Sequence, residues 1–133
     1  MGNVTNEAVI STPNVYAIGF QGDRFLMVYN PKRVGWEMPG GKLEEFETPL
    51  DGIKREYREE CGFELEVLDC RPMGPVVVFA GVLGKEVGEA EMGWELMNEL
   101  PQNLAFPECE YREQIAWARE AVRNKLGKAL TLK

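Results

Sequence analysis

The residues from Gly41 to Phe63, GKLEEFETPLDGIKREYREECGF, constrain this chain more than any other stretch. Thr48-Pro49 opens a helix, because threonine is a favoured N-cap and proline at the first helical position has its φ preset and no N–H to lose. Asp51, three residues past the cap, closes a box-like pair and meets the positive helix end. Leu50, Ile53, Tyr57 and Cys61 recur at helical spacing as one apolar stripe. Gly62 suits the left-handed residue that ends many helices. The pattern therefore predicts a short amphipathic helix over 49–61.

The acids on that helix are unusual. At about 100° per residue, Glu56, Glu59 and Glu60 share one sector beside the apolar stripe. Like charges four apart destabilise a helix, and a merely solvated face alternates its signs. A hard divalent cation removes the cost. Mg²⁺ takes oxygen ligands, uses one or two carboxylates per ion, and leaves other positions for water and phosphate. Arg55 stands four residues before Glu59 and is expected to hold it.

Composition sets the outer limits. The chain has 133 residues, enough for one domain with its own core. No apolar run reaches the length of a membrane span, and the N-terminus has no signal-peptide pattern. The three cysteines, Cys61, Cys70 and Cys109, have no ligand-like spacing, so reduced thiols in the cytoplasm are expected. Histidine is absent, which excludes His-based nucleophiles and His metal ligands and leaves carboxylates as the main acid/base groups. A net charge of −7 disfavours long nucleic acid. A small nucleotide remains suitable where metal ions offset the local charge.

Along the chain, residues 1–12 are polar and expected to be loose. Val15–Phe20 and Arg24–Tyr29 read as strands of a hairpin around Gln21-Gly22-Asp23. Asn30–Gly35 reads as a loop, and Trp36–Leu43 leads into the helix. Strands are predicted over Glu64–Asp69, Val76–Leu83 and Glu86–Leu96. Glu99–Pro107 reads as a loop. Ile115, Ala118, Val122 and Leu126 predict a helix over 111–126, with Gly127 as its stop. The order β-β-α-β-β-β-α implies an α/β chain with a mixed sheet between two helices.

Gly41, Glu47, Arg55-Glu56, Glu59-Glu60 and Gly62-Phe63 stand at the gaps G-x5-E-x7-R-E-U-x-E-E-x-G-U, where U is bulky and apolar. The stretch 41–63 resembles the Nudix box. Weaker similarity extends to WEMPGG before it and WELMNELP after it. The resemblance implies an α/β/α sandwich and a single Nudix domain over 1–133. It also implies that Glu56, Glu59 and Glu60 bind Mg²⁺ (or Mn²⁺), joined by the carbonyl of Gly40. Glu47 supports that site or orients water, and Arg55 orients a metal-binding glutamate. The general base varies among relatives, leaving Glu56, Glu89 and Glu91 as candidates. Phe46 departs from the glycine of the common form, and Tyr57 fills a slot more often aliphatic.

Lys42, beside the two glycines, is a phosphate candidate, and the resemblance adds Lys32 and Arg33 in the loop before the box. Trp36, Phe46, Trp94, Phe106 and Tyr111 are aromatics suited to stack on a base, with Trp36 and Phe106 preferred. In MutT-like members a residue just before the last helix reads the base edge, and Glu110 stands there by position. Its carboxylate would accept from guanine N1–H and N2–H₂.

The expected function is Mg²⁺-dependent hydrolysis of a nucleoside triphosphate, with an oxidised purine nucleotide such as 8-oxo-dGTP leading, to monophosphate and pyrophosphate. ADP-ribose or a dinucleoside polyphosphate is the rival substrate. A non-catalytic nucleotide-binding module is the rival class. The expected partner is a small nucleotide, with no membrane or long nucleic acid, for a monomer or homodimer.

Overall fold

The computed structural model describes residues 13–131, with side chains through residue 127. The expected looseness of residues 1–12 lies outside the described residues. The described elements run β1 (Asn14–Gln21), β2 (Arg24–Asn30), β3 (Gly35–Glu37), β4 (Gly40–Lys42), α1 (Pro49–Cys61), β5 (Phe63–Met73), β6 (Val76–Glu86), β7 (Gly93–Met97) and α2 (Glu108–Thr131).

A fork in the sheet positions the site. β1 runs parallel to β6, from Asn14↔Val76 to Phe20↔Val82, and β6 pairs antiparallel with β5. On its other edge β1 meets β2 only near the hairpin turn, at Phe20↔Phe25 and Gln21↔Arg24. Beyond that the two strands diverge. β2 takes β3 as its partner, and β1 takes β4 through Val15↔Gly41 and Tyr16↔Gly40. The segment Gly35–Lys42 therefore fills the wedge between them, and Ala17 N–H donates to the Pro39 carbonyl at 3.0 Å. β7 covers the far edge of β2.

A helix packs on each face. On one, Ile53, Tyr57 and Cys61 of α1 bury against Val15, Ala17, Leu26, Val28, Leu65 and Phe79. On the other, Tyr111, Ala118, Ala121 and Val122 of α2 bury against Ile18, Phe20, Met27, Val78 and Ala80. Each large apolar side chain so buried contributes roughly 1.5–3 kcal/mol. The predicted α/β/α layering is the observed one. Tyr57 packs with no exposure, but its hydroxyl has no hydrogen-bond partner among the described residues. That unpaired group offsets part of the gain from burying the ring.

α1 occupies the predicted span. Thr48 Oγ1 accepts from Asp51 N–H at 3.1 Å, and Gly62, at φ 82°, donates its N–H to the Arg58 carbonyl. Leu50 of the expected stripe is 43% exposed, so the buried part of the stripe begins at Ile53.

Three expectations are corrected. The strand predicted over Glu86–Leu96 is split: β6 ends at Glu86, and β7 begins only at Gly93. The intervening segment is held by the C-terminal end of α1 instead of by a neighbouring strand. Val87 and Gly88 N–H donate to the Gly62 carbonyl, Glu91 N–H to that of Glu59, and Met92 N–H to that of Glu60. Gly127 does not stop α2, which continues to Thr131. One interior glycine costs only about 1 kcal/mol relative to alanine, too little to end a long helix. The region 35–42, read as a lead-in, forms two short strands because the fork offers each half an edge to pair with.

Candidate active site

The site grows from the contact between the Gly40-Gly41 strand and α1. A Cβ on Gly40 would lie 2.0 Å from the Val15 carbonyl oxygen and 2.7 Å from Tyr16 Cα. A Cβ on Gly41 would lie 2.0 Å from Glu56 Oε2. The two glycines thus bring β4 against β1 on one side and admit the Glu56 carboxylate on the other. Gly40 N–H also donates to Glu60 Oε1 at 3.1 Å.

Arg55 ties the acids together. Its Nε and Nη2 donate to Glu47 Oε2 and Oε1 at 2.7 and 2.9 Å, a bidentate pair. Its Nη1 reaches Glu56 Oε1 at 3.0 Å and Glu59 Oε1 at 3.2 Å, and its Nη2 reaches the Lys42 carbonyl at 3.3 Å. The expected Arg55–Glu59 pair is present as one arm of this larger fork. The Arg55 hydrogen bond, then the Glu44 N–H, hold the Glu47 carboxyl down at about 2.

Burial acts oppositely on the next two acids. It raises Glu56, with Arg55 partly compensating. It pushes Glu60 up to about 8, against the Gly40 N–H and with the charges of Glu56, Glu37 and Glu91 adding to the rise. A buried carboxylate with other carboxylates near it is costly to ionise without a cation.

The donor chemistry fits a divalent ion. Glu56, Glu59 and Glu60 offer carboxylate oxygens, and neither histidine nor cysteine intrudes on them. Among the described residues, however, no acidic, cysteine or histidine side chains form a ready-made cage of three or more. Arg55 takes only Oε1 of Glu56 and Oε1 of Glu59, so their Oε2 atoms would be available to an ion while the guanidinium keeps both side chains in place.

At the fork lies a cavity of about 200 Å³. Its walls include Tyr16 from β1, Glu37 and Met38 from the wedge, and Phe106, Glu110 and Tyr111 around the start of α2. Tyr16 in its wall pairs with Gly40, whose N–H donates to Glu60 Oε1, so β4 links the cavity wall to the acids of α1. Tyr111 O–H donates to the Trp36 carbonyl at 2.7 Å and accepts from Phe106 N–H at 3.2 Å, fixing that wall. Burial pushes the Tyr111 hydroxyl up to about 12, so it stays protonated.

Phe106 and Glu110 line this cavity. Trp36 does not: its ring lies edge-on to Tyr29, its cross-strand partner, at 5.5 Å. Arg33 reaches Glu37 at 3.2 Å and stacks over Phe106 at 5.2 Å. Lys32 is exposed on the β2–β3 turn and donates its backbone N–H to Asn30 Oδ1, and the Lys42 side chain is exposed at the end of β4. Glu89 and Glu91 are both exposed on the docked 87–92 segment, where Glu91 N–H donates to the Glu59 carbonyl and its charge adds to the rise at Glu60. Phe46 is 98% exposed and makes no wall of the cavity.

Tyr16, Glu37 and Met38 escape sequence reading. The nearest signal was the WEMPGG run itself, with an acid immediately before Met-Pro-Gly-Gly.

A family model described as the NUDIX domain matches residues 11–105. Over 40 residues the chain is 48% identical to an uncharacterized Nudix hydrolase of Bacillus subtilis, covering 30% of this chain and 25% of that one. Over 30 residues it is 53% identical to an 8-oxo-dGTP diphosphatase of Proteus vulgaris, covering 23% and 27%. The matched segment thus spans about a quarter of the length of these curated relatives. Among solved structures, an ADP-ribose pyrophosphatase from Streptococcus suis superposes with a TM-score of 0.65 at 24% identity, over 81% of this chain and 89% of that one. That likeness is one of fold.

Proposed function

The chain belongs to the NUDIX domain family, whose hydrolases act on pyrophosphate bonds, and on that footing we propose that it is a divalent-metal-dependent hydrolase splitting a nucleoside triphosphate into monophosphate and pyrophosphate. A guanine base, including its oxidised form, is the proposed occupant of the cavity. The observation that carries this reading is a small cavity whose wall residue Tyr16 pairs with Gly40, the residue that donates its N–H to Glu60 of α1. At about 200 Å³ it is smaller than sites that enclose a drug-sized ligand, so it suits one ring system with the phosphates outside.

In this reading the Glu56, Glu59 and Glu60 carboxylates, with the Gly40 carbonyl, hold the ions. A bound divalent ion supplies charge stabilisation at the phosphate oxygens and lowers the pKa of water. Arg55, anchored by Glu47, sets the direction of Glu56 and Glu59. Lys42 and Lys32 face the phosphates, Arg33 is held on Glu37 and the Phe106 ring instead, Phe106 stacks on the base, and Glu110 accepts from its N–H groups. Glu56 and Glu91 are the proposed general bases nearest the acids. The reading takes residues 1–133 as one domain. It places the enzyme in the cytoplasm, in keeping with free Cys61, Cys70 and Cys109. Among the described residues no helix is long and apolar enough to cross a membrane.

The test is product analysis with guanine and adenine nucleoside triphosphates, their 8-oxo forms, ADP-ribose and a diadenosine polyphosphate, each with Mg²⁺ and with chelator. Chelator-sensitive pyrophosphate release from a triphosphate, lost in Glu59→Gln and Glu60→Gln, supports the reading. AMP and ribose phosphate from ADP-ribose alone would replace it with the rival substrate. Nucleotide binding without turnover would replace it with the non-catalytic module.

A further inference from the structure

Glu37 lies outside the 41–63 box, yet it is the best-held acid of the cavity. It is 4% exposed and lines the cavity wall. A buried carboxylate persists only when its oxygens are paired. Asn30 Nδ2 donates to Oε2 at 3.1 Å, and Arg33 Nη1 lies 3.2 and 3.4 Å from Oε1 and Oε2. Three contacts leave an acceptor position open on a carboxylate that takes about four.

The holders are themselves fixed. Asn30 Oδ1 accepts from Lys32 and Arg33 N–H at 2.9 and 3.4 Å, which turns its Nδ2 toward Glu37. Arg33 is also pinned over the Phe106 ring. Val34 follows at φ 52°, a left-handed conformation that a β-branched residue rarely adopts. Strain of this kind persists where surrounding contacts over-determine the backbone, and it clusters at functional sites. The Glu110 carboxylate, from α2, also borders the cavity and has no hydrogen bond or ion pair among the described residues.

We propose that Glu37 is a base-selecting residue, presenting with Glu110 two carboxylate acceptors to the ring bound in this cavity. The pair favours a ring edge with adjacent N–H donors, such as guanine N1–H and N2–H₂. It disfavours an edge bearing an acceptor, such as adenine N1. Arg33 and Asn30 are positioning residues that fix the carboxylate. The inference rests on the nucleotide reading above, and its test separates the two.

Calorimetric titration of the full chain with guanosine and adenosine monophosphates reads base choice without needing hydrolysis. Wild type is expected to prefer the guanosine nucleotide. In Glu37→Gln, Asn30 and Arg33 claim the amide oxygen, and an NH₂ replaces the acceptor facing the ring. The guanine-to-adenine affinity ratio is then expected to fall by about tenfold or more. Arg33→Lys keeps the charge but loses the fork and the stack, and should lower the same ratio by less. Glu110→Gln, at an exposed helix position, gives an independent fall if Glu37→Gln does not fold. A wild-type protein without guanine preference, or a ratio unmoved in folded Glu37→Gln or, failing that, in Glu110→Gln, overturns the proposal. Guanine preference lost in Glu37→Gln, but with no triphosphate hydrolysed, would sink the hydrolase reading and leave this one standing.

Discussion

Glu60 carries the clearest pH signature of any single residue. Its folded-state pKa of about 8 lies above the ordinary 4.5, so between those values the native state keeps a proton that the unfolded chain releases. Its contribution to stability is present below 4.5 and is lost as pH rises toward 8. Glu47, held at about 2, acts oppositely: its contribution is present above 4.5 and is lost as pH falls through about 2. Urea midpoints for metal-free protein should therefore drop between about pH 5 and about pH 8, and less so in Glu60→Gln. An equal drop in both proteins would remove Glu60 as the cause. Phe46 offers a second test at this scale. Its φ of 66° and full exposure mean that the ring contributes little to the fold while the backbone is strained. Phe46→Gly should raise unfolding free energy by about 1 kcal/mol in a denaturant titration. A loss of stability would show that the ring makes a contact worth more than the strain.

At the scale of elements, β4 and α1 meet through two glycines with different neighbours. A methyl on Gly40 meets backbone, the Val15 carbonyl and Tyr16 Cα, which cannot move without breaking the β1–β4 ladder. A methyl on Gly41 meets the end of the flexible Glu56 side chain. Gly40→Ala is expected to cost several kcal/mol, on the order of the overpacking penalty or more. Gly41→Ala should leave thermal stability near wild type and lower turnover by about tenfold or more by displacing Glu56. Thermal melts and pyrophosphate release on both variants separate the two. Equal losses of stability would refute the distinction. α1 itself was legible because its signals are local: the Thr48 cap, Pro49, the 53/57/61 spacing and Gly62 all act within one or two turns. β3 and β4 were not, because strands of three residues exist only where a diverging pair of neighbours offers open edges.

For the whole molecule, the acids gathered near α1 sit in a chain of net charge −7, so a bound divalent cation should stabilise the folded state by mass action. With Mg²⁺ at about one hundred times its dissociation constant, linkage gives about 2.7 kcal/mol. The melting temperature should rise with Mg²⁺ and return with chelator, and Glu59→Gln with Glu60→Gln should abolish the rise. A melting temperature indifferent to Mg²⁺ would argue against a metal site among these acids.

The sequence alone determined the helix 49–61, the acids on its face and the family resemblance, since each rests on spacing within a short window, and the order of elements with that resemblance gave the α/β/α layering. Tertiary structure alone decided which residues share the cavity. Tyr16, Glu37, Phe106 and Glu110 come from distant parts of the chain, and only the divergence of β1 from β2 brings them together. It also decided that Trp36 packs on Tyr29 instead of lining the cavity, and that Val87 to Met92 folds onto α1 instead of extending a strand. The physical reason is the range of the forces involved. Caps and periodicity act through adjacent backbone, whereas a cavity is what remains after distant elements have satisfied their own burial and hydrogen bonds.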